Sequence, residues 1–196
     1  GVPELFAAQV SGNRPSFRIH PALSFGHAIG GFALAPDGQK AIYLADPVVR
    51  GVFELFRASA NSAPTLLRLS PDSLRDPGPS GNVRDFLVAG SRALYRGPQD
   101  QEDVTGLYSV PLDASASPVA LSPSQPSAGG VLTRAVTPDG ARVVFVVGGE
   151  HRHHELHLAP VDGSSPTRRL DRPVHDRCDV DPGFVLTPDG RAALFL

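Results

Sequence analysis

Short apolar runs broken by turn-forming residues follow one another along the whole chain, and four of them can be superimposed. These are FALAPDGQKAIYL (32–44), FLVAGSRALY (86–95), AVTPDGARVVFV (135–146) and FVLTPDGRAALFL (184–196). Aligned on their turn glycines, Gly38, Gly90, Gly140 and Gly190 fall 52, 50 and 50 residues apart. Five residues after each glycine stands an aromatic: Tyr43, Tyr95, Phe145 or Phe195. A second series (ELFAAQV, ELFRASA, GLYSVPL, ELHLAPV) places Leu5, Leu55, Leu107 and Leu156 at intervals of 50, 52 and 49. A third, Ile19, Leu69, Leu121 and Leu170, keeps those same intervals of 50, 52 and 49. Three landmarks sharing one period identify a repeat of supersecondary units.

Each unit reads as four strands. An apolar strand a runs into Pro-Asp-Gly, where Pro presets φ and Gly accepts the left-handed conformation, so a tight hairpin to strand b follows. Strand b (AIYLA, RALYR, VVFVV, AALFL) is apolar on both faces, as expected of a sheet covered on both sides. A variable loop leads to strand c, a polar turn to strand d, and a Pro-rich connection to the next unit. The second unit has VAGSRALY in place of Pro-Asp-Gly, so its hairpin should be shorter. The expectation is an all-β chain, a β-propeller of four-stranded antiparallel blades with the strand b aromatics buried between sheets. It divides into residues 1–23 (strands c and d of a split blade), blades over 24–75, 76–122 and 123–172, and residues 173–196 (strands a and b of a split blade).

The strand–Pro-Asp-Gly–strand unit, followed by a Leu-(Phe/Tyr) strand, resembles the TolB-like propeller repeat, which also occurs in tricorn and dipeptidyl-peptidase-type propellers. That resemblance spans essentially the whole chain. It implies a module that binds protein partners in the bacterial envelope, and hence a periplasmic or extracellular protein. It assigns no chemistry, because Pro-Asp-Gly forms a turn and a fold does not specify a function.

Composition narrows the rest. With 196 residues, 41% of them apolar, and a formal charge of −2, the chain can bury a real core and has no electrostatic reason to seek nucleic acid. Its arginines are balanced by acids and lack interleaved aromatics, which also disfavours nucleic acid. No apolar run approaches the roughly 20 residues of a membrane-spanning helix, so no membrane insertion is expected. Cys178 is the single cysteine, which excludes an intrachain disulfide. Gly-x-Ser-x-Gly, Gly-x-Gly-x-x-Gly and Walker-type loops are absent from the sequence, and no cofactor is implied.

Alternating strand direction puts the a-to-b and c-to-d turns on one face and the b-to-c and d-to-a loops on the other. The second face carries the irregular segments, and variation on a rigid scaffold is where binding usually sits. Candidate ligand- or partner-binding residues there are Arg50; Asp100, Glu102 and Asp103; His151, Arg152 and His153; and His175, Asp176 and Arg177. The histidine cluster, with Cys178 near by, could hold a transition metal or an anion. A solvated loop is the preferred reading, because spacing without a family signature is weak and His153 and His154 point opposite ways on a strand. His157 aligns with Phe6, Phe56 and Tyr108 and is read as a core residue. The acidic trio could take calcium, but lacks the glycine-bracketed calcium loop. Asp37, Asp139 and Asp189 have turn-forming roles that account for them.

These readings favour a non-catalytic binding or scaffold module with a protein or small-ligand partner. The alternative is a piece of the substrate-gating propeller of an α/β-hydrolase peptidase. The split blades expect self-association: the halves could join within one chain, between two chains as a head-to-tail dimer, or within a longer propeller. The dimer is favoured because closed two-fold assemblies are common and leave no free edge.

Overall fold

The computed structural model describes residues 3–23, 28–62, 66–71, 82–98, 104–123, 130–148, 154–171 and 180–196. Every regular element among them is a strand, in five antiparallel sheets that follow the repeat. The first sheet is two-stranded, β1 (Phe6–Ala7) with β2 (Phe17–Arg18). Three four-stranded sheets follow. They are β3 (Ile29–Leu34), β4 (Lys40–Ala45), β5 (Glu54–Ser59) and β6 (Leu67–Arg68); β7 (Asp85–Ala89), β8 (Arg92–Pro98), β9 (Thr105–Pro111) and β10 (Val119–Ala120); and β11 (Gly130–Val136), β12 (Arg142–Gly148), β13 (His154–Pro160) and β14 (Arg168–Arg169). The last sheet pairs β15 (Phe184–Leu186) with β16 (Ala193–Phe195).

The turn chemistry accounts for the hairpins. In the third unit Thr137 N donates to Arg142 O at 2.9 Å and Gly140 N, at φ 70°, to Thr137 O at 2.8 Å. Asp139 closes the turn, accepting from Thr137 Oγ1 at 2.6 Å and from Ala141 N at 3.0 Å. Asp189 repeats this with Thr187 and Arg191, and Asp37 with Gln39 N and Lys40 Nζ. Those hydrogen bonds, led by the side-chain ones, hold all three carboxyls below the usual carboxylate range. In the second unit only Gly90 and Ser91 separate β7 from β8, whereas residues 35–39 and 137–141 connect the corresponding strands on either side. The shortened hairpin is as the sequence implies.

The core lies between sheets. Along each strand b successive side chains point to opposite faces. Ala41, Tyr43 and Ala45 pack back on Leu5 and Ile19, while Ile42 and Leu44 pack forward with Val83, Ala93 and Tyr95. Leu94 then packs with Val143, Phe145 and Val147, and Val144 and Val146 with Val180, Phe184 and Ala193. Tyr43, Tyr95 and Phe145 are therefore buried, and each stacks on its cross-strand partner: Phe56 at 5.8 Å, Tyr108 at 5.3 Å and His157 at 5.6 Å between ring centroids. His157 is thus a core residue.

Phe195 departs from the expectation of burial, remaining 42% exposed. Among the described residues β16 pairs only with β15 and β1 only with β2, so Phe195 has no strand c aromatic to stack on. Phe6, at the strand c position, is correspondingly exposed.

Candidate functional site

Of the binding residues chosen from sequence, only Arg50 lies within the described residues. Asp100, Glu102, Asp103, His151, Arg152, His153, His175, Asp176 and Arg177 lie outside them. Arg50 is exposed, in the connection between β4 and β5, beside exposed Val48 and Val49. That connection is anchored by buried Asp46, which accepts from Ala28 N at 2.5 Å and from Gly51 N at 2.7 Å. One carboxylate thus ties the b-to-c loop to the end of the preceding linker.

Most other polar groups that the fold gathers are committed to the scaffold. After each strand d comes an acceptor for the strand c landmark. Leu5 N donates to His20 Nε2 at 3.1 Å, Leu55 N to Ser70 Oγ at 3.0 Å, Leu107 N to Ser122 Oγ at 3.0 Å and Leu156 N to Asp171 Oδ1 at 2.8 Å. Strand c also carries an acid for the strand d arginine: Glu4–Arg18 at 2.9 Å, Glu54–Arg68 at 3.4 Å, and Glu155 with Arg169. Glu155 in addition accepts from His157 Nε2 at 2.9 Å, so the two side chains share one side of β13. Among the described residues no group of three or more His, Cys, Asp and Glu side chains is placed to hold a metal ion.

A charged cluster joins β7 and β8 to β11. Arg96 forks onto Asp85 through Nε and Nη2, and its Nη1 donates to Val131 O at 3.0 Å and Leu132 O at 2.6 Å. Those carbonyls lie where the β11–β12 register slips between Val131 and Thr133, and the guanidinium caps them from the neighbouring sheet. Arg134, its side chain only 8% exposed, reaches Asp85 Oδ1 at 2.6 Å. Burial pushes the Asp85 carboxyl up, but the Arg96 hydrogen bond and the Arg134 charge outweigh it and leave it below the ordinary carboxylate range.

The opposite face holds a recess of about 450 Å³ between the second and third four-stranded sheets. Its walls are the β7–β8 hairpin (residues 89–92), the β11–β12 hairpin (140–142) and the β13–β14 turn (160–162 and 164). It exists because the second hairpin is short. At the next hairpin along, a Cβ on Gly190 would meet Pro138 Cδ at 2.7 Å, so that turn is packed against its neighbour's proline. A Cβ on Gly140 meets only Gly90 N, at 3.9 Å. The space that a Pro-Asp pair would occupy is open. Arg92 and Arg142 enter it with Asp162. Arg92 is oriented by Ser109, donating from Nε to Oγ at 2.7 Å and from Nη2 to the carbonyl at 3.4 Å. Asp162 is held by Ser164 N at 2.9 Å, and its hydrogen bonding to Ser164 keeps the carboxyl ionised below its ordinary range.

Solved structures decide the fold. A structure described as TolB from Agrobacterium tumefaciens superimposes with a TM-score of 0.53 at 18% identity, over 98% of this chain and 62% of that one. TolB from Acinetobacter baumannii gives 0.51 at 14% identity, over 95% and 41%. A prolyl endopeptidase gives 0.57 at 14% identity, over 91% of this chain and 25% of that one. The chain has the TolB-like propeller fold. It spans under two thirds of the length of these TolB-like propellers. No family model matches the sequence, and no curated protein matches it significantly.

Sequence reasoning missed Asp46, the acceptor series and the recess. The acceptors were legible, since His20, Ser70, Ser122 and Asp171 immediately follow the third landmark. The recess was signalled by the missing Pro-Asp, but it lies on the turn face and not on the loop face where the sequence leads one to expect binding.

Proposed function

We propose that this TolB-like propeller module is a non-catalytic binding or scaffold unit that presents its loops and recesses to a protein or small-ligand partner. The observation that carries this reading is the commitment of its recurring polar side chains to the framework: turn aspartates to turns, strand c acids to strand d arginines, post-strand acceptors to strand c amides. The likeness to a prolyl endopeptidase supports a second reading, a part of a peptidase's gating propeller. Assaying the complete gene product on proline-containing chromogenic peptides, with a serine-directed fluorophosphonate label, separates the two. No turnover and no labelling support the module; turnover with labelling of a Gly-x-Ser-x-Gly serine downstream supports the peptidase.

Self-association belongs to the same reading. Phe32 and Leu34, at the positions of Phe86 and Val88 one unit later, are 67% and 60% exposed, and among the described residues β1–β2 has no strands a and b beside it to cover them. Val185 and Leu194, paired on the outer face of β15–β16, are each 67% exposed. Bringing β15–β16 of one copy beside β1–β2 of another covers both patches and sets Phe195 opposite Phe6, matching the Tyr43–Phe56 register. A head-to-tail dimer is the assembly proposed.

A further inference from the structure

The recess on the turn face gathers two arginines, one aspartate and a small apolar wall. Arg92 spends Nε and Nη2 on Ser109, which orients its guanidinium and leaves Nη1 outside those bonds. Arg142 is exposed at the rim. Arg92 faces Asp162 and Arg142 faces the turn carboxylate of Asp139, so the two guanidiniums attract a ligand carboxylate locally, while two fixed carboxylates oppose the second charge of a phosphate dianion. Asp162, fixed by Ser164, keeps acceptor capacity for a ligand N–H. Ala141, Pro160 and Val161 supply a small apolar wall. A volume of about 450 Å³ lies within the range of sites that hold small ligands.

We propose that this recess, opened by the loss of Pro-Asp from the second hairpin, binds a short peptide segment through a carboxylate set between Arg92 and Arg142, with a peptide N–H donated to Asp162. The carboxylate is either a C-terminus or an Asp or Glu side chain. This deepens the binding-module reading and rests on it, while leaving that reading standing if another surface is the one used.

The test is an amide chemical-shift titration of the full chain at low salt with four probes. They are acetyl-Ala-Val-Ala as free acid and as amide, and the amides of acetyl-Ala-Glu-Ala and acetyl-Ala-Gln-Ala. The expected result is saturable shifts at residues 89–92, 140–142 and 160–164 with at least one acid and much smaller ones with its neutral counterpart. The free acid alone identifies a C-terminus; the glutamate peptide alone identifies an acidic side chain. Arg142→Gln, at an exposed position, should weaken binding about fivefold or more without altering the fold. Inserting Pro-Asp before Gly90, which rebuilds the turn of the neighbouring units, should abolish it while the remaining spectrum is kept. Equal binding of acid and neutral peptides, no shifts with any of the four, shifts centred elsewhere, full competition by equimolar inorganic phosphate, or binding unchanged by Arg142→Gln would each overturn the proposal.

Discussion

At the scale of single residues, the structure distinguishes side chains that complete a hydrogen bond from those that only fill space. Ser122 Oγ accepts from Leu107 N inside the core, and Ser122→Ala leaves that amide buried without its acceptor. A loss of about 1–3 kcal/mol is expected, read as a lower denaturant midpoint at unchanged slope. Tyr43 presents the opposite case. Its ring is buried and stacked, but its hydroxyl finds no hydrogen-bond partner among the described residues, and burial pushes its pKa up to about 12. Tyr43→Phe keeps the ring and removes the orphaned oxygen, so a gain of about 1 kcal/mol is expected in the same measurement. The sequence placed Tyr43, as the aromatic five after the turn glycine, whereas Ser122 stands unremarked beside the third landmark. The acceptor role of Ser122 escaped notice because His, Ser, Ser and Asp share a function at that position without sharing a side chain.

At the scale of strands and hairpins, Arg96 couples neighbouring sheets. It spans from β8 to Asp85 on β7 and to the bulge of β11. Arg96→Met preserves the length of the aliphatic stem but removes the guanidinium that caps Val131 O and Leu132 O and pairs with Asp85. It should cost about 1–3 kcal/mol, with amide-exchange protection falling in β11 as well as in β8. Asp85 adds a pH dependence whose sign follows from its environment. Its carboxyl is held below the usual range in the folded chain, so its contribution is fully present above about pH 4 and is lost as the pH falls through the lower folded value. Asp85→Asn should therefore flatten the acid limb of the stability profile and leave Arg134 buried without its carboxylate, lowering stability at neutral pH as well. None of this network could be read from spacing, because the bulge that Arg96 caps is a register shift between two strands.

At the scale of the whole molecule, the sheets at the two ends leave complementary apolar patches. Light scattering coupled to size exclusion should give twice the monomer mass at micromolar concentration, and Phe6→Glu, which puts a charge where Phe195 would stack, should return the monomer. A monomer mass for the unsubstituted chain, with residues 1–23 protected from amide exchange, would instead mean that the ring closes within one chain.

The sequence alone determined the period, the four-strand unit, the tight hairpin at each Pro-Asp-Gly, the shortened hairpin, and the aromatics at the centre of each sheet. Those features follow from local rules: a turn needs a residue that tolerates positive φ, and a strand covered on both faces needs apolar residues throughout. Tertiary structure decided which patches stay open. Phe195 obeys every local rule that Tyr43 obeys, yet it is half exposed because burial depends on a neighbouring strand. The recess was likewise decided between units, since a two-residue deletion in one hairpin becomes a cavity only where the next hairpin stands beside it.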